Sequence, residues 1–188
     1  LFNKIDYSTA TDQERFKWLE YYKAKFQAYF YTNPIDKFVV SLRFKTGYLG
    51  TYNRKVGDSP FERFYLGGDG LSGFALDGRE LVGMRGYSNN ALTPTNVSNS
   101  FIGATIFTKY TAEVRYPVSL NPSATIYLLS FVEAGNTWLD FKAFNPFKLY
   151  RSAGFGVRVF LPMFGMLGLD WGYGFDDVPK LSGVNKGQ

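Results

Sequence analysis

The stretch Phe16–Tyr31 reads FKWLEYYKAKFQAYFY, and its alternation decides the fold. Even positions carry Phe16, Trp18, Glu20, Tyr22, Ala24, Phe26, Ala28 and Phe30. Odd positions carry Lys17, Leu19, Tyr21, Lys23, Lys25, Gln27, Tyr29 and Tyr31. One face is apolar and aromatic, the other largely cationic and polar. Period 2 over sixteen residues predicts a long strand. TNPIDK, residues 32–37, then reads as a turn.

The pattern repeats along the chain. Alternating runs cover 38–50, 104–116, 124–138, 151–161 and 167–175, so six antiparallel strands are expected. In the second run Phe38, Val40, Leu42, Phe44 and Tyr48 oppose Ser41, Arg43, Lys45 and Gly47. In the third, Tyr110, Ala112 and Val114 oppose Lys109, Glu113 and Arg115. Strands of a soluble sandwich usually run about 5 to 6 residues. These are longer, and strands of at least about 9 to 11 suit a tilted bilayer crossing. Short connections (32–37, 117–123, 162–166) alternate with long ones (51–103, 139–150), as in an outer-membrane barrel. Trp18, Tyr48, Tyr116, Trp138 and Trp171 near run ends read as interfacial girdles. Six strands cannot close such a barrel, which starts at about eight. The chain is expected to be part of a larger barrel or one protomer of a closed oligomer. The ends, neither of which reads as a natural terminus, favour the first.

Composition narrows the function. The 188 residues contain no Cys and no His, so thiolate chemistry and the commonest general base and metal ligand are missing. No serine sits in a nucleophile motif, and an enzyme is the last reading. No metal or cofactor is expected. The net charge of +5 is spread without a basic cluster, which argues against nucleic acid.

Further residues carry a resemblance. FERFYLGGDGLSGF, then MRGY, FVEAGNTW and NPFKLYRSAGFGVRVFLPMFGMLGLDWGYGFD, in this order, resemble the carboxy-terminal barrel half of the BamA family. That family comprises the barrel-assembly insertases of the outer membrane, and the wording is most similar to versions from the Bacteroidetes. The resemblance implies a sixteen-stranded barrel preceded by POTRA domains, of which this chain would supply strands ten to fifteen. The closing strand, the first nine strands and the POTRA domains would lie elsewhere, so the chain alone is not expected to work as an insertase. It implies a Gram-negative outer membrane, with Bam-complex lipoproteins or other subunits, unfolded outer-membrane proteins and membrane lipid as partners. A two-partner secretion pore, a TamA-like protein or a plain porin are the other readings.

The resemblance also implies a role for the long segment 51–103. It would be an extracellular loop folded back into the barrel, with Met84-Arg85-Gly86-Tyr87 at its tip. Met84 stands where the family usually has Val. Physically, a planar guanidinium suits a carboxylate on the inner wall. Parity puts Asp170 and Glu133 on that wall. Glu133 also matches the family's acidic position, within Phe131-Val132-Glu133-Ala134-Gly135. Phe61, Phe64 and Tyr65 are expected to pack within the folded-back loop. Lys23, Lys25, Arg43, Lys45, Lys109, Arg115 and Arg158 are expected to line the lumen and chiefly to solvate it; an anion-selective pore would use the same residues.

Overall fold

The computed structural model describes residues 11, 14, 16–18, 20–53, 56–71, 79–96, 98 and 100–178. Its wall is one six-stranded antiparallel sheet in the order β1 (Tyr21–Ile35), β2 (Phe38–Thr51), β5 (Ile106–Asn121), β6 (Ala124–Trp138), β7 (Tyr150–Leu161), β8 (Gly165–Gly174). Two short strands inside the long loop, β3 (Phe64–Leu66) and β4 (Glu80–Val82), form a separate parallel pair. The all-β class and the six long antiparallel strands stand as expected, and the architecture is a partial β-barrel.

Strand ends differ from the alternation, and prolines explain most of it. The sequence places turns at 32–37 and 117–123, but the strands run on through Pro34 and Pro117. The chain reverses only at Asp36-Lys37 and Pro122-Ser123. Both prolines sit at register shifts, between Thr32 and Ile35 and between Pro117 and Ser119. Pro34 lies in the unpaired stretch of its bulge, where a missing N–H does little harm, and Pro117 is the last paired residue before the unpaired Val118. At the other end, β1 begins at Tyr21 instead of Phe16, because β2 ends at its partner Thr51. Trp18 therefore lies in a bend before the strand and is not on the wall. Ala104 and Thr105 precede β5, and Ala104 bridges to Phe64 of the loop. The tail LSGVNKGQ falls outside the described residues.

The two faces are chemically opposed. Outward positions such as Phe26, Phe30, Leu42, Tyr110, Val132, Phe155 and Trp171 are exposed. Their rings meet across strands, as in Phe26–Phe44, Phe44–Tyr110 and Phe155–Trp171. Inward positions beneath the loop are buried, while those beyond its reach, such as Gln27 and Tyr31 of β1, stay exposed. Leu49, Phe64, Leu66, Val82, Met84, Leu92, Ala104 and Phe107 form one core between loop and wall. At Gly47 a Cβ would come within 2.4 Å of the Phe107 ring, so the ring needs a bare backbone beneath it. A continuous apolar face with no cover fits contact with lipid and does not fit a soluble domain.

Phe44 lies midway along β2 on the outer face. In the full-length barrel, Phe44→Arg should cost about 2–4 kcal/mol, the range for arginine near the bilayer midplane. Urea unfolding from lipid bilayers measures this. A loss within about 0.5 kcal/mol, the level of a neutral surface change, would show that the face is not in lipid.

Candidate functional site

The loop tip reaches the wall through its backbone before its charge is considered. Met84 N–H donates to the Gly68 carbonyl at 2.8 Å, and Gly68 N–H donates to the Tyr87 carbonyl at 3.1 Å. These bonds hold residues 84–87 as a turn. Gly86 has φ +89°, a region that favours glycine. A Cβ there would also stand 2.8 Å from the Tyr173 carbonyl carbon. The tip thus lies on the backbone of β8 and beside the Ser152 side chain of β7. The facing positions on β8 are glycines: a Cβ on Gly172 would meet Gly86 N at 2.9 Å, and one on Gly174 the Tyr87 ring at 2.7 Å.

Arg85 then makes contacts to three strands. Its backbone N–H donates to Glu133 Oε2 at 2.9 Å, and Nε and Nη2 donate to Oε1 at 3.1 and 2.8 Å. Nη1 donates to Asp170 Oδ2 at 3.2 Å, and Nη2 to Glu113 Oε2 at 3.2 Å. The guanidinium lies 3.5 Å above the Phe131 ring centre, a cation–π stack that also shields it on one side. Burial opposes its charge, but Glu133, Asp170 and Glu113 outweigh that and hold its pKa above the usual range.

The expected partners Glu133 and Asp170 are thus both brought to Arg85. Glu113 joins them, and in the sequence only its inward parity distinguishes it. Its position in space depends on register: Glu113 faces Phe131, and Thr111 faces Glu133. Glu113 and Glu133 therefore lie diagonally across neighbouring strands. Like charges so placed repel, and cations separate them. Arg43 and Arg115 reach Glu113 at 2.9 and 2.7 Å. Lys109 reaches Glu133 at 3.1 Å and donates to the Gly83 carbonyl. Arg158 grips Asp170 with both amino groups, at 2.6 and 2.7 Å.

These contacts correct, for all of the inward cations but Lys45, the expectation that they chiefly solvate the lumen. Lys23 is also bound, 2.9 Å from Glu62 and 2.6 Å from Glu80, and Lys25 meets Glu80 at 3.3 Å. Cations of the wall hold both the loop's own carboxylates and those beneath its tip.

Tyr87 closes the tip. Its hydroxyl donates to the Arg151 carbonyl at 2.7 Å and accepts from Asp176 N–H at 3.3 Å. Asp176 in turn binds the Arg151 guanidinium at 2.8 Å. That bond keeps the Asp176 carboxyl below its ordinary range. A lowered carboxyl stabilises above its unfolded pKa and loses that effect as pH falls through the folded one. The latch is therefore intact at neutral pH and lost only in acid. Phe64 and Tyr65 are buried within the loop, with Phe64 against Phe107 at 4.7 Å. Phe61 is different: it lies half-exposed at a bend, its N–H turned to Ser59 Oγ. Aromatic character alone could not separate it from the other two.

The Omp85 superfamily domain matches residues 7–184. The chain belongs to the Omp85 superfamily. No curated protein matches it. Among solved structures it is similar to the crystal structure of BamA from Haemophilus ducreyi lacking POTRA domains 1–3. The TM-score is 0.59 at 16% identity, over 84% of this chain and 32% of that one. The likeness is one of fold, and the chain spans about a third of that structure's length. No group of acidic residues able to hold a metal occurs among the described residues.

The geometry ranks the carboxylates of this Omp85 chain. Glu133 is 2% exposed and gives Arg85 three bonds; Asp170 is about a fifth exposed and gives one. Glu133→Gln should loosen the tip by about 1.5–3 kcal/mol, the range for bonds to charged groups. Asp170→Asn should do so by about 1 kcal/mol or less. Protease protection of residues 79–96 in the full-length protein measures both, while the strand ladders stay intact. Equal losses, or a reversed order, would refute the ranking.

Proposed function

We propose that this chain is part of an outer-membrane insertase of BamA type, which folds β-barrel proteins into the bilayer. The observation that carries the reading is the pinned loop. Its core is apolar, its tip is held by carboxylates of β5, β6 and β8, and it lies on the inner face from Lys23 on β1 to Asp170 on β8. A lumen filled in this way is poorly suited to passing large cargo. That favours a protein whose work is done at its lipid-facing wall and strand edges. A nascent strand would add there by β-augmentation, its main chain pairing with an exposed edge.

The resemblance to BamA supports the same assignment. The wording of the last two hairpins supports an origin in the Bacteroidetes. On this reading the chain works with the remaining strands of its barrel, POTRA domains, accessory lipoproteins, unfolded outer-membrane proteins and membrane lipid. It is not an enzyme. The related reading, a translocation pore of the same superfamily, rests on the same arginine loop and requires that the loop move aside.

Depletion of the full-length protein separates the two. An insertase should take many different barrels out of the outer membrane together. Loss confined to one exported protein would favour the pore. Within the insertase, Arg85→Glu should fail to restore growth, because it sets a fourth carboxylate against three. Arg85→Lys should restore it only in part, since an ammonium lacks the planar fork. Growth of the Glu variant at the wild-type rate, with the loop equally protected, would remove Arg85 from the mechanism.

A further inference from the structure

The connection between β6 and β7, residues 139–149, lies on the face of the wall opposite the long loop. Tyr48, Ile106 and Trp138 are cross-strand partners on the outward parity. Leu128 and Val132, further down the same face of β6, are exposed, yet Ile106 is 3% exposed and Trp138 6%. An outward side chain of this sheet becomes buried only when something covers it from outside. The connection is that cover. The Phe141 ring meets Tyr48 at 4.6 Å, and Phe144 meets Trp138 at 4.8 Å.

The cover is a built structure. Asp140 Oδ1 accepts the N–H groups of Lys142 and Ala143 at 2.6 and 3.0 Å. Asn145 Oδ1 accepts that of Phe147 at 3.0 Å. Asn136 Nδ2 donates to the Lys148 carbonyl at 2.7 Å, and Thr105 Oγ1 to that of Leu139 at 2.8 Å. This fixed loop turns two apolar rings outward among its polar side chains. Phe141 is exposed, and Phe147 is 92% exposed. Lys142 and Lys148, also exposed, flank them.

Its height on the wall indicates what meets it. The outward stripe of β2 from Tyr48 to Phe38 is about 34 Å of strand at ~3.4 Å per residue. At a tilt of about 40° this rises about 26 Å, close to the ~25 Å apolar band of a membrane barrel. The far end is aromatic too, with Phe38 against Tyr116 at 5.0 Å. The level of Tyr48 and Trp138 is therefore one edge of the band, on the side of the long connections. Aromatic rings beside lysines are the side chains that settle at such an edge, ring toward the acyl chains and ammonium toward phosphate.

We propose that residues 139–149 form a foot resting on the outer leaflet, with Phe141 and Phe147 at the acyl boundary and Lys142 and Lys148 on the phosphates of anionic headgroups. The proposal rests on the reading of the wall as an outer-membrane barrel. The foot continues the lipid-facing stripe directly, through Tyr48 and Trp138, and its two exposed lysines outnumber its one exposed carboxylate, Asp140, leaving it a net positive charge toward an anionic surface.

The test uses nitroxide labels on the full-length protein in vesicles of phosphatidylcholine, with or without phosphatidylglycerol. Single cysteines go to Phe147, to Phe155 on the mid-wall and to Ser98 on the long loop. The label at 147 should be more accessible to oxygen than to a water-soluble nickel chelate, at a depth between the other two, and should sit deeper in the anionic vesicles. Lys142→Glu with Lys148→Glu should abolish that anionic increment. If the label at 147 is as nickel-accessible as that at 98 while 155 lies in lipid, the foot is refuted and the barrel reading stands. If 155 also lies in water, the barrel reading itself fails. An anionic increment that survives both charge reversals would refute the headgroup contact.

Discussion

One positive charge lies where three negative ones would otherwise repel. Glu113, Glu133 and Asp170 project from β5, β6 and β8 onto the same inner surface, and the Arg85 guanidinium is the group that touches all three. Remove it, and Glu133, almost fully buried, keeps only Lys109 as an ion-pair partner among the described residues. Arg43, Arg115 and Arg158 reach the other two carboxylates, so the network extends over β2 and β7 as well. The position of the loop follows from this. Charge alone would not define it, because ion pairs in a wet lumen are weakly directional. Gly172 and Gly174 of β8 supply the missing shape: they let backbone approach backbone, and only then does the arginine fork reach its partners together.

Much of this was legible in the residues, because a strand's side-chain period is two and one inward residue fixes the parity of the rest. Parity places Glu133 and Asp170 on the wall beside Arg85, and the resemblance to the BamA family marks Glu133 in addition. Glu113 had the same parity but no mark. Whether it reaches Arg85 depends on which β6 residue lies opposite, and register is a property of two strands. The Phe131 ring beneath the guanidinium is the same case. Strand ends failed for another reason. Pro34 and Pro117 carry a strong local signal for a turn, and the bulges that absorb them are visible only once pairing partners are known. The loop's own strands, three residues each, are too short to show a period at all.

The two faces impose different rules on aromatic residues. On the lumen side a ring must fit: Phe64 and Phe107 meet over Gly47, where a side chain would displace them. On the outer face the solvent is fluid hydrocarbon, and a ring needs only to be apolar and at the right height. Phe61 shows that abundance does not guarantee burial in the loop.

The long loop is also a mechanical element. Ladder hydrogen bonds join only adjacent strands, so a sheet by itself can flex at every strand boundary. This loop leaves from β2 and returns to β5, yet its side chains are tied to β1 through Glu62 and Glu80, to β8 through Arg85, and to β7 and the residues just past β8 through Tyr87. It acts as a chord across an arch. Widening the arch anywhere between β1 and β8 would stretch ties at both ends of the chord together. The six strands are thereby stiffened into one segment of wall, and any parting of strands in the complete barrel is directed to boundaries that no chord spans.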